Sequence, residues 1–83
     1  MINKKTIIEL DFATDELEKA KKVLGSIDAV QNTTISAEFE GEDFILIDIT
    51  AGELKEILAK VILRNKARIV ELNELAAQEA KGA

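Results

Sequence analysis

From Thr50 to Ala80 the chain reads TAGELKEILAKVILRNKARIVELNELAAQEA, with no proline and a single glycine, Gly52, in its first turn. The stretch predicts one long helix. Thr50-Ala51-Gly52-Glu53 forms a capping box: the Thr50 hydroxyl accepts the Glu53 backbone N–H, and the Glu53 carboxylate accepts that of Thr50. Gly82 supplies a stop. At 1.5 Å per residue such a helix is roughly 40 Å long, whereas a compact chain of this size is about 30 Å across. At helical spacing Leu54, Ile57, Leu58, Val61, Ile62, Ile69, Leu72, Leu75 and Ala76 make one apolar stripe, suited to covering a sheet. Ala59, Leu63, Ala67, Val70 and Ala77 make a second, about half a turn away. A helix longer than its domain, with a spare apolar stripe, predicts a partner interface on Ala59, Leu63, Ala67, Val70 and Ala77.

Immediately before this helix, Thr33–Glu40 alternates as a strand with Ile35, Ala37 and Phe39 on one face. Asp43–Ile49 returns with Ile45, Ile47 and Ile49 on one face and Phe44 and Leu46 on the other. Apolar residues on both faces predict a central strand covered on both sides. Gly41-Glu42 is read as a two-residue hairpin turn, with Gly41 supplying the positive φ. Ala29–Asn32 is a connector. A first helix begins near Thr14 or Asp15, buries Leu17, Ala20, Leu24 and Ile27 with Val23 beside them, and stops at Gly25-Ser26. At the start of the chain, Lys5–Phe12 reads as a strand, with Ile8, Leu10 and Phe12 alternating against Ile7, Glu9 and Asp11. The order is then β-α-β-β-α, an α+β domain spanning residues 1–83. Its three strands run in spatial order 1-3-2, with both helices on one face, as in a truncated ferredoxin-like unit.

Composition narrows the chemistry. The 83 residues contain no Cys and no His, which removes the usual zinc, haem and iron–sulfur ligands together with the commonest general base and nucleophile. Net charge is −5, from 16 acidic and 11 basic residues, which disfavours unaided nucleic-acid binding. Met1-Ile2-Asn3-Lys4-Lys5 lacks a signal-peptide apolar run, so a soluble, cytoplasmic protein is expected. No phosphate loop, metal-ligand spacing or triad stands in the sequence. Glu38/Glu40 and Glu40/Glu42/Asp43 are the acidic groups nearest to a hard-cation site, and a solvated surface is the simpler reading. No catalytic residue and no cofactor are expected.

Both arginines stand in Arg64-Asn65-Lys66-Ala67-Arg68, at mid-helix, where Asn65 and Arg68 interrupt the main stripe. Three readings compete for Arg64, Lys66 and Arg68: solvated surface, polar contact to a partner protein, or contact to tRNA phosphate within a larger assembly.

Taken together, the first strand, the helix ATDELEKAKKVLGSI, the hairpin TTISAEFEGEDFILIDIT and the helix opening AGELKEILAKVILR resemble the small Pcc-type dimerisation subunit of the KEOPS complex, over nearly the whole chain. Leu63-Arg64 matches a Leu-Arg pair in that family's last helix. The family carries Asn or Asp a few residues earlier, where this chain has Ala59-Lys60-Val61, so the main subunit and a diverged paralogue both stay open. The resemblance implies a non-catalytic subunit of an archaeal or eukaryotic tRNA-modifying complex that makes threonylcarbamoyladenosine. It further implies a homodimer or a heterodimer with a related small subunit, docking on the catalytic threonylcarbamoyl-transferase subunit, tRNA engaged only within the complex, and no membrane. The alternative from another class is a stand-alone ferredoxin-like ligand-binding or regulatory module that uses an open sheet face.

Overall fold

The structure is a computed structural model and describes every residue except Phe39, Glu42 and Ala83. Helix α1 spans Lys4–Gly25, a 3-10 turn spans Ile27–Ala29, strands β1 and β2 span Thr33–Glu38 and Phe44–Ile49, and helix α2 spans Ala51–Lys81. The order is α-β-β-α. The expected β-α-β-β-α fold with a three-stranded 1-3-2 sheet is therefore incorrect: among the described residues the sheet has two strands, and Lys5–Phe12 is helical.

The physical reason lies in a seam between the helices. The buried residues of α1 are Thr6, Ala13 and Ala20, seven apart. Half-buried Leu10, Leu17 and Leu24 interleave with them at alternating spacings of four and three, the heptad pattern of helices packed side by side. Nothing between Phe12 and Asp15 breaks a helix, and Asn3 caps the start by accepting the Lys5 backbone N–H on its side chain at 2.9 Å. The period-two alternation of Ile8, Leu10 and Phe12 is overridden by this longer pattern, and Phe12 is left 73% exposed. The expected buried edge at Leu17, Ala20, Leu24 and Ile27 holds, as does the stop at Gly25.

Helix α2 shows the same repeat. Leu58, Asn65 and Leu72 are buried seven apart, with Leu54 a turn earlier; Val61, Ile62 and Ile69 are half-buried between them and Ala76 a turn beyond. The main stripe thus faces α1 rather than a sheet. Ile57 and Leu75, expected on the covered side, stay exposed. The capping box forms as expected: Glu53 N–H donates to the Thr50 hydroxyl at 3.2 Å, and Thr50 N–H donates to the Glu53 carboxylate at 3.0 Å. The helices run antiparallel, tied at the far end by the amino terminus donating to the Glu79 carbonyl. At the near end Ala20, Leu54 and Leu58 form the core, with Leu24, Ile27, Val30, Ile49, Val61 and Ile62 against it.

The hairpin is antiparallel, with Ile35 opposite Ile47 and Glu38 opposite Phe44. Gly41 has φ +77°. The pairing of Glu38 with Phe44 leaves an odd number of residues between the strands, so the expected two-residue turn, which would set Glu40 opposite Asp43, is ruled out; Glu42 itself lies outside the described residues. The register gathers Ile35, Ala37, Ile45 and Ile47 on one face and sets Ser36 and Glu38 beside Leu46 and Phe44 on the other. Strand β2 was expected to be central and covered. Instead Phe44, Ile45, Leu46 and Ile47 are all exposed, and among the described residues the sheet has no third strand.

The molecule measures 49 × 36 × 15 Å, with a radius of gyration of 16.6 Å, against about 12 Å for a compact chain of this length. The molecule is thus extended and flat.

Candidate interaction surface

A layer of two antiparallel helices has two broad faces, and the 100° step between helical residues decides which side chains lie on each. One face carries charges. Arg68 donates to Glu9 at 3.0 Å and Arg64 to Glu16, crossing from α2 to α1. Arg68 also lies 3.6 Å from Glu71 on its own helix. Exposed Phe12 lies within this belt, in a shallow cleft with Glu9, Ala13, Glu16, Asn65 and Arg68.

Asn65 is only 4% exposed, and its amide donates to the Val61 carbonyl at 2.9 Å within α2. A local partner lets a polar residue sit in the seam without an orphaned donor. On the surface of α1, Lys19 pairs with Asp15 at 2.8 Å, and the hydrogen bond and charge of that carboxylate raise its pKa above the ordinary 10.5.

The opposite face is mixed. By helical position it holds Ile7, Leu10, Thr14 and Lys21 of α1 with Ile62, Lys66, Ile69 and Asn73 of α2. Leu63, Ala67 and Val70 stand on the outer edge of α2, away from α1, with Ala59 and Ala77 between that edge and the face. Leu63 is 68% and Val70 58% exposed. Ala59, Ala67 and Ala77 are exposed as well. All five residues of the expected partner interface therefore lie at the surface along α2.

The structure supplies a further role for the arginines that the three sequence readings did not contain. Arg64 and Arg68 link the two helices, and among the described residues Lys66 takes no part in the ion pairs. Sequence reasoning missed Glu9 and Glu16 as their partners. The available signal was the seven-residue spacing of those carboxylates, opposite in sign to two arginines four apart, and it was hidden by reading Glu9 as a strand residue.

Among the described residues no group of three acidic side chains is placed to hold a metal ion; the Glu40/Glu42/Asp43 group includes Glu42, which lies outside them. No described helix is long and apolar enough to cross a membrane.

No protein-family model matches the chain, and no significant match is found among curated proteins or solved structures.

Proposed function

We propose that this chain is a non-catalytic assembly subunit that associates with a second copy through the outward side of α2, centred on Leu63 and Val70. One observation carries the reading. The chain exposes 6663 Å², whereas a compact monomer of 9.1 kDa exposes about 4,900 Å², an excess of about 1,800 Å². Obligate homodimers bury roughly 1,000–2,500 Å² per partner, so pairing with a second copy takes up the excess. The test is light scattering of the purified chain. A species of twice 9.1 kDa is expected, and a monomer at every concentration overturns the proposal.

The narrower placing, as an adaptor in a tRNA-modifying complex that makes threonylcarbamoyladenosine, rests on the resemblance of the hairpin and the capped long helix to Pcc-type subunits. The first strand, which also supported it, is helix here. Under this reading the outward side of α2 docks on the threonylcarbamoyl-transferase subunit. Contact with tRNA through Arg64 and Arg68 then requires breaking their pairs with Glu16 and Glu9. Co-purification from the native host tests the placing: recovery of a transferase subunit supports it, and recovery of this chain alone overturns it.

A further inference from the structure

We propose that the outer edge of β2 pairs antiparallel with β2 of the second copy, joining two hairpins into one four-stranded sheet, β1-β2-β2-β1. The inference rests on the self-association reading and specifies where the two backbones meet.

Three observations point to this edge. Strand β2 reads Phe44-Ile45-Leu46-Ile47-Asp48-Ile49, apolar on both faces, the composition of a strand with a neighbour on each side. Strand β1 reads Thr33-Thr34-Ile35-Ser36-Ala37-Glu38, polar on one face, the composition of an outer strand. Yet among the described residues β2 pairs with β1 on one side only, leaving a row of backbone N–H and C=O groups on the other. Natural edges of this kind are guarded by lysine, proline, a bulge or a covering segment. Strand β2 has no lysine and no proline, and its side chains are exposed along nearly its whole length. A two-stranded hairpin alone is marginal in water, whereas a sheet of three or more strands with an apolar face is not.

A second copy fits this edge for a geometric reason. Antiparallel pairing of identical strands has a two-fold axis perpendicular to the sheet. That axis keeps the same face of both hairpins on the same side, so Ile35, Ala37, Ile45 and Ile47 of both copies merge into one apolar surface. An axis at Leu46 sets Asp48 opposite Phe44, and an axis at Ile47 sets it opposite Leu46. In neither register do the two carboxylates face each other, an arrangement that would be destabilising.

The chain has no cysteine, so a single-cysteine scan from Phe44→Cys to Ile49→Cys is unambiguous. The residue on the axis stands about 5 Å from its own copy, within disulfide reach, while a residue two positions away is separated by about 14 Å and out of reach. Under a mild oxidant, a cross-linked dimer is expected at either Leu46→Cys or Ile47→Cys, with silence two positions to each side. In the unsubstituted chain, exchange of the outward β2 amides is expected to slow as protein concentration rises. A dimer by light scattering with no cross-link in the scan and unprotected β2 amides overturns the edge pairing and leaves self-association standing. A monomer at every concentration overturns both.

Discussion

Replacing Val70 by Glu places a carboxylate in the exposed apolar stripe on the outward side of α2. Fully burying a Val side chain is worth about 1.5–3 kcal/mol, and Val70 is 58% exposed in the single chain. Covering that remainder contributes about 0.9–1.7 kcal/mol per copy. A two-fold interface loses the contact twice, or about 2–3.5 kcal/mol, and at about 1.4 kcal/mol per decade the dimer weakens roughly 30- to 300-fold. The desolvation of an unpaired carboxylate adds to this. Sedimentation equilibrium across a concentration series measures the dissociation constant, and far-ultraviolet circular dichroism checks that the helices persist. Leu72→Ala is the control: Leu72 is 1% exposed in the seam, and removing such a side chain costs about 2.7–5 kcal/mol of folding stability, so the fold is lost instead. A Val70→Glu chain with the dissociation constant of the unsubstituted protein would refute the placing of the interface on this side of α2.

Two further outcomes follow from the polar contacts. Donation from the Thr50 backbone and hydroxyl holds the Glu53 carboxyl below its ordinary 4.5; with the folded value under the unfolded one, the capping box stabilises α2 above about pH 4.5 and is lost as pH falls through the lower folded value. The Thr50 amide resonance should therefore titrate below that pH in the unsubstituted chain and not in Glu53→Gln, and a flat profile in both contradicts the box. A double-mutant cycle on Arg68 and Glu9, whose side chains are 47% and 35% exposed, should give a coupling of about 0.5–1 kcal/mol in chemical denaturation, and the more exposed Arg64–Glu16 pair less; a coupling of about 2 kcal/mol or more in either would mean that these pairs hold the layer together.

The half of the fold that sequence made legible is the half governed by local signals. The Thr50–Glu53 box, the stop at Gly25 and the positive φ at Gly41 each depend on a few neighbouring residues, and each is found in the structure. The amino-terminal stretch was misread because its seam positions are Thr6, Ala13 and Ala20. Small or polar residues at buried positions give a weak apolar signal, while the large residues Ile8 and Phe12 alternate conspicuously and lie at the surface. The exposed stripe on α2 was visible because it needed only that one helix. The arginine pairs were not, because their partners lie 48 and 59 residues away on an element read as partly strand.

The seven-residue repeat at Thr6, Ala13 and Ala20, facing one at Leu58, Asn65 and Leu72, has a consequence for alignment. A periodic seam is a ruler with evenly spaced marks: sliding one helix along the other by a heptad, about 10.5 Å, brings small side chains back against large ones. Hydrophobic contact alone therefore fixes the offset poorly, and what fixes it must be aperiodic. Asn65 is the one polar mark on the α2 scale. The bridges Glu9–Arg68 and Glu16–Arg64 step seven residues on one helix and four on the other, so a heptad slip cannot re-form them both. The charges of the belt, each weak as a source of stability, act as the vernier that selects one alignment.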